Sequence, residues 1–443
     1  MSHAVVVGAG LAGCEAAWQL AIRGISVDLF EMKPGKKTPA HQNDGFAELV
    51  CSNSLKSNDP TVGSGLLKEE MRQLGSLILE AADHTGVPAG GALAVDRHLF
   101  SQYIENKIRR HPRITVVPQE VVEIPAENAV IATGPLTSEP MAEAISALPG
   151  LETLHFYDAA APIVSADSLD LSKVFSQGRY GQESDYLNCP MDEREYKDFY
   201  HALLEAEKAE VHGFDGKQVF EGCMPIEVMA SRGELVMAYG PMKPVGLTDP
   251  RTGRMPFAVV QLRAENRERT MYNIVGFQTR LKWGEQKRVF SMIPGLEHAE
   301  FLRYGVMHRN TFLHSPGFLN EHFEMISRPT VYFAGQMTGV EGYVESACSG
   351  LVAGLDLARK LNGECPVDLT NHTMIGALSR YIATPNSNFQ PMNANFGILG
   401  PMEKRIKGKR ERYLAMALRS MDVIEAIRSN PMVHDFYERE NEK

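Results

Sequence analysis

The chain has 443 residues, 44% of them hydrophobic and 23% charged, with 38 Gly and 25 Pro. These proportions sit near globular averages and exclude a collagen-like, coiled-coil or disordered polymer. A net charge of −10 argues against a polybasic nucleic-acid wrapper, and the length predicts more than one domain.

Ala4–Val7 reads as a strand that breaks into Gly8, Ala9, Gly10, Leu11, Ala12 and Gly13. A helix follows, with Leu11, Cys14, Trp18, Ala21 and Ile22 at helical spacing, and Gly24 stops it. The next strand, Ile25–Phe30, ends at Glu31, completing a βαβ unit. Spacing predicts helices over Leu66–Ala82 and over Asp96–Arg110, with Asp96 as N-cap, and short strands at Ile114–Val117 and Ala129–Ala132. From Phe175 to Arg303 the texture changes, with a helix expected over Asp192–Lys208 and strands over Leu235–Tyr239, Phe257–Leu262 and Met271–Phe277. Val331–Ala334 returns to a buried strand, followed by a helix from about Tyr343 to Leu361 and two terminal helices, Asn371–Ile382 and Glu403–Arg428. The expected fold is α/β: a Rossmann-like domain carrying an inserted α+β domain. Its first part is 1–174, the inserted second domain 175–303, and the resumed part, with C-terminal helices, 304–443. No apolar run is long enough to span a bilayer, so no membrane association and a cytoplasmic location are expected.

The glycine motif follows a strand, opens a helix and is trailed by an acid at the end of the next strand, the context of a dinucleotide site. Gly8 serves the tight turn, Gly10 the approach to a pyrophosphate and Gly13 the packing of helix on strand, while Glu31 is placed for ribose hydroxyls. FAD and NAD share this fingerprint. The turn at Thr133 and Gly134, and the strand leading into Gly335 and Gln336, resemble the further contacts that two-part flavoproteins make to FAD, which implies a Rossmann-like FAD-binding domain of the two-part flavoprotein type.

Six cysteines without a CxxC pair do not form a disulfide framework or a metal site. Cys51, in a small polar turn, and Cys223, between Gly222 and Met224-Pro225, have the settings of site thiols; Cys14, Cys189, Cys348 and Cys365 read as structural. The segments Gly8–Ala17, Thr38–His41, Leu49–Ser54, Gly335–Tyr343, Phe389–Asn393 and Asn395–Gly397 together resemble the bacterial folate- and FAD-dependent tRNA (uracil-5-)-methyltransferases over nearly the whole chain. A related flavoprotein family that modifies wobble uridines shares the Gly335-Gln336 and Gly342-Tyr343 pattern but is longer. A small-molecule FAD oxidoreductase and a tRNA-binding scaffold are the competing readings.

The resemblance implies methylation of C5 of the T-loop uridine of tRNA, with 175–303 as the inserted substrate and tRNA domain. The carbon comes from 5,10-methylenetetrahydrofolate and the electrons from NAD(P)H by way of FAD. It implies Cys223 as the thiolate that adds to uracil C6, and Cys51 beside the flavin for a proton or for the methylene carrier. The pterin is expected to stack against Tyr343 or His308, and Gly342 belongs to the same cofactor turn. Trp283, among Lys282, Lys287 and Arg288, is a candidate to stack on an RNA base. Arg405 and Lys409 lie in a run with Lys404, Lys407, Arg410 and Arg412; Arg263, Arg267, Arg269, Arg280 and Lys282 form a second basic cluster. Either set is a candidate phosphate contact.

Overall fold

The computed structural model describes residues 2–38, 40–151, 153–179, 185–209, 224–386 and 389–429, and the side chains of these except at 153–158, 308, 309 and 311. Five parallel strands form the first sheet, in the order Val331–Phe333, Ala129–Ile131, His3–Val7, Ser26–Phe30, Ile114–Val117. The chain therefore leaves this sheet after Ile131 and returns to its edge some two hundred residues later, as the two-part reading expects. His3–Val7 is central, and connections leave it in both directions. The crevice beyond its carboxyl end is where such sheets bind ligands.

Helix Leu11–Ala21 packs against the long helix Tyr343–Leu361 at backbone contact. A Cβ on Gly350 would lie 2.1 Å from the Ala12 carbonyl oxygen, and one on Gly354 2.7 Å from that of Ala16. Two small residues thus bring the amino end of the late helix beside the early glycine loop. One apolar core runs from Ala4 to Leu148 and resumes from Leu313 to Ile424.

A second core, Val164 to Ala299, belongs to a six-stranded sheet ordered Phe175–Ser176, Tyr186–Met191, Ala258–Ala264, Met271–Ile274, Ile163–Ser165, Phe301–Arg303. Its neighbours are antiparallel throughout. Ile163–Ser165 joins this sheet although it precedes residue 175. The ribbon of Thr153–Ala159 against Met307–Leu313 carries the chain out of the first unit and back.

Three expected elements differ, one of them the last helix, which begins at Lys409 rather than Glu403 because Gly408 takes a left-handed φ of 89° before it. The helix over Leu66–Ala82 is two helices, Gly63–Gln73 and Leu77–His84, because Gly75 takes a left-handed φ of 72° and Ser76 restarts the chain as N-cap to Leu79. The strand over Leu235–Tyr239 is a helical turn, Val236–Tyr239. Met237 and Ala238 are buried side by side between exposed Leu235 and Tyr239, a pattern a strand, which alternates faces, cannot produce. Asp96 caps Arg97–Arg110 as expected, accepting from His98 and Leu99 N–H.

Candidate functional site

The glycine loop is built for a ligand. Gly8 has a φ of 100°, and a Cβ there would come within 2.6 Å of the Ala132 carbonyl oxygen. On Gly13 it would strike the Gly8 oxygen at 1.7 Å. A Cβ on Gly10, in contrast, would meet no protein atom within 4 Å, so the only thing it would obstruct is the open space in front of helix Leu11–Ala21. That helix has no side-chain cap at its amino end, which leaves N–H groups and partial positive charge facing the space. Glu31 lies at its edge, taking Ala9 N–H at 2.8 Å and Lys33 N–H at 3.0 Å with one oxygen each. Each oxygen keeps a lone pair for a ligand hydroxyl.

A trough extends from this loop past Thr133, Gly134 and Pro135 to Gly335, Gln336 and Tyr343. Leu11 and Ala12 line it; Ala9 and Gly13 act behind it, Ala9 through its bonds to Glu31 and Ala47. These donors, the uncapped helix and the cradle at Gly10 fit the pyrophosphate and ribose of FAD. His41, whose ring burial and then nearby Lys33 hold below the usual histidine pKa, also lines the trough; it is not among the sequence-derived site residues.

The trough opens into a second cavity of about 400 Å³, with which it shares Val50, Pro135, Leu136, Gln336 and Tyr343. Cys51 and Gly342 line the second cavity. The Tyr343 hydroxyl accepts Cys51 N–H at 2.7 Å and Ser52 N–H at 3.3 Å and lies 2.8 Å from Cys51 Sγ. With two N–H groups on the oxygen's lone pairs, the phenolic proton is left to point at sulfur, an arrangement that suits a thiolate. Burial, followed by proximity to Cys51, pushes the Tyr343 phenol well above its ordinary pKa, so the hydroxyl remains a donor.

Three arginines that sequence reasoning missed in this role or misassigned surround the pair. Arg97 bonds Glu265 and the Leu49 carbonyl, both at 2.5 Å. Arg303 is largely buried beside Arg97, Tyr343 and Cys51, and its Nε and Nη2 have no partner among the described residues. Burial and then Arg97 hold it below the ordinary arginine value. Arg263, expected in a phosphate-binding cluster, is only 6% exposed and clamps Ser52 Oγ and Asn53 Oδ1 at 2.8 Å each. Of the rest of its cluster, Arg280 lies 3.9 Å from Glu227 and Lys282 pairs with Glu207 at the surface, while Arg267 and Arg269 are exposed. The alternating strand Ala258–Ala264 turns Arg263 inward, which charge counting along the sequence does not register.

Lys404, Arg405, Lys407, Lys409, Arg410 and Arg412 are all exposed. Lys409 Nζ and the Arg412 guanidinium flank the Tyr413 ring, each 5.5 Å from its centroid, and Tyr413 stacks on Phe396. Trp283 is 62% exposed and stacks on Tyr304, which stacks on Phe301. Trp283, Arg405 and Lys409 line neither the trough nor the cavity. His308 lies on the returning strand of the ribbon, with its side chain outside the described set, and Cys223 lies outside the described residues altogether. Of the thiols read as structural, Cys14, Cys189 and Cys348 are buried, and burial raises the pKa of each. Among the described residues no group of His, Cys, Asp and Glu is placed to hold a metal ion.

Comparison with known proteins adds three findings. The family model for glucose inhibited division protein A matches residues 3–365. A Staphylococcus aureus (strain Newman) protein named methylenetetrahydrofolate–tRNA-(uracil-5-)-methyltransferase TrmFO is 59% identical over 423 residues, spanning 95% of this chain and 97% of its own. Two solved structures of Aquifex aeolicus GidA share the fold, each with a TM-score of 0.70 over all of this chain, at 16% and 17% identity and over 75% and 78% of their own lengths.

Proposed function

The chain belongs to the glucose inhibited division protein A family, among its methylenetetrahydrofolate–tRNA-(uracil-5-)-methyltransferases, and from that premise we propose that it methylates C5 of the T-loop uridine of tRNA. The carbon comes from 5,10-methylenetetrahydrofolate and the electrons from NAD(P)H, in the cytoplasm. The observation that carries this reading is the continuity of the dinucleotide trough with the cavity holding Cys51 and Tyr343. Cofactor and substrate rings meet where the two spaces join. When bound, FAD supplies the electrons that reduce a methylene carbon to methyl.

The protein's own residues do the rest. The N–H groups at Leu11 and Ala12 hold the pyrophosphate, Glu31 the ribose, and Thr133, Gly134, Gly335 and Gln336 the remainder of the cofactor. Cys223 adds to uracil C6, which makes C5 nucleophilic, and the Cys51–Tyr343 pair holds or accepts a proton at the cavity mouth. His308 and Tyr343 flank the flat rings, Gly342 leaves room at the turn, and Trp283 takes an RNA base. Arg405 and Lys409, exposed and without an ion pair among the described residues, contact phosphate. The domains divide as 1–174, 175–303 and 304–443, with the middle unit's sheet reaching back to Ile163.

Incubation with unmodified tRNA transcript, methylenetetrahydrofolate and NAD(P)H should yield 5-methyluridine in the nuclease digest. Flavin reduction without methylated base refutes the reading in favour of a small-molecule oxidoreductase.

A further inference from the structure

Asn310, on the returning strand Met307–Leu313, is only 3% exposed, and its carboxamide makes no hydrogen bond to any described residue. It lines the cavity that holds Cys51 and Tyr343. Most other buried amides among the described residues are engaged. Asn53 donates to the Val95 and Ala264 carbonyls, Asn188 to those of Phe175 and Gln177, and Gln286 to those of Leu281 and Gly305. Asn273 leaves its Nδ2 unpartnered but faces none of the cavities described. A buried amide without a partner costs about 1–3 kcal/mol, so native folds retain few of them. One that faces a cavity is placed for something that enters it.

Gln278 lines the same cavity from the inserted domain, half-buried and also without a side-chain hydrogen bond. Most charged atoms there are engaged; Glu345 Oε2 is the exception, buried without a partner among the described residues, and it too disfavours an anion. Lys56 pairs with Glu345 at 3.1 Å, and Glu341 accepts from Gln336 Nε2 at 3.0 Å. Val50, Leu55, Leu136 and Met392 supply apolar wall. Neutral amides between apolar walls suit a neutral, flat, polar-edged ring rather than an anion.

We infer that the carboxamides of Asn310 and Gln278 bind the lactam edge, the adjacent ring N–H and C=O, of a 4-oxopyrimidine ring held beside Cys51 and Tyr343. A carboxamide carries one acceptor and one donor side by side, which meet such an edge in two parallel hydrogen bonds. Both ligands of the proposed reaction present it, uracil at N3/O4 and the folate pterin at N3/O4, so the assignment rests on that reading and deepens it. Asn310 is the main contact because it is the more buried.

The test is direct binding by flavin-loaded protein of two separate ligands, an unmodified T-arm RNA hairpin and 5-formyltetrahydrofolate. Asn310→Ala should weaken one of them about 10- to 100-fold and leave the other within about twofold, with flavin content and melting temperature unchanged. Gln278→Ala should weaken the same ligand by less. Asn310→Asp, of the same shape, distinguishes the two rings and carries the test if the alanine variant folds poorly. A pterin can turn in its plane to offer aspartate two donors, N3–H and the 2-amino group, and so keeps folate binding, whereas uracil has a carbonyl on either side of N3–H. Aspartate opposes the uracil O4 and so loses the hairpin. Both ligands unchanged in Asn310→Ala, or both weakened equally with a lowered melting temperature, overturn the assignment while the proposed function stands. Wild-type protein that binds neither ligand overturns both.

Discussion

Tyr343→Phe removes a single oxygen and keeps the ring that lines both the trough and the cavity. That oxygen takes two N–H groups at 2.7 and 3.3 Å and faces Cys51 Sγ at 2.8 Å. A neutral hydrogen bond contributes about 0.5–1.5 kcal/mol, and a donor stranded in the interior costs more. Cys51 and Ser52 are half-buried, so water recovers part of the loss at the two N–H groups. About 2 kcal/mol for the three contacts is the resulting scale. If the Cys51 turn must hold its shape as the carbon is transferred, that becomes roughly a 30-fold slower single turnover. The assay is 5-methyluridine formed per enzyme after rapid mixing with methylenetetrahydrofolate and tRNA, starting from chemically reduced enzyme, with flavin content measured in parallel. The variant should keep its flavin. It should also keep the shape of its pH–rate profile below about pH 10, because the phenol is held protonated well above its ordinary range. A rate within about twofold of wild type would falsify the claim that this hydroxyl organises the thiol.

Other outcomes follow from separate parts of the fold. Gly10→Val meets no protein atom within 4 Å at its Cβ, so the variant should melt like wild-type apoprotein yet purify colourless; a fully yellow preparation would show that the loop does not cradle the cofactor. Cys223→Ala should abolish 5-methyluridine while flavin stays bound, and full activity would remove its role at C6. Glu70, fully buried, accepts Met374 N–H at 2.7 Å, Ile375 N–H at 2.8 Å and the Ser420 hydroxyl, fastening the two terminal helices to Gly63–Gln73. Burial pushes its pKa up to about 7 from 4.5. Because the folded state then holds a proton that the unfolded state releases, Glu70's contribution to stability declines between about pH 4.5 and 7, by about 3 kcal/mol in all. Glu70→Gln should flatten that part of the melting-temperature profile, and parallel profiles would count against the linkage. Replacing Arg405 and Lys409 together by Ala should weaken tRNA binding and reduce the slope of log affinity against log salt by about 1.4–1.8, with no change in melting temperature; an unchanged slope would mean a solvated face.

Much of the cofactor half of the site was legible because its signals are local. Gly8, Gly10 and Gly13 each answer a steric demand made within one strand–turn–helix, and Glu31 arrives at the end of the next strand whatever the rest of the fold does. Asp96 caps the helix that begins beside it, and the late helix runs over Tyr343–Leu361 as its spacing indicates. The substrate half was legible only in pieces. Cys51 and Tyr343 are 292 residues apart; the family motifs pointed to each separately, and nothing along the chain indicated their contact.

The residues misjudged or overlooked are those whose roles depend on partners from another element. Arg263 reads as one of several surface cations until the inserted sheet turns it against Ser52 and Asn53. Arg97 follows a helix cap and gives no other sign, yet it joins Glu265 of the insertion to the Leu49 carbonyl of the first domain. Asn310 is an unremarked polar residue in a strand until packing buries it and leaves its amide facing a cavity. Backbone conformation and helix capping are decided by neighbours in the chain, so the amino-acid order alone determined the nucleotide fold and its glycine loop. Burial and charge pairing are decided by whatever the folded chain brings alongside, so only the tertiary structure could say which thiol meets which hydroxyl, which arginine turns inward, and where an amide is left without a partner.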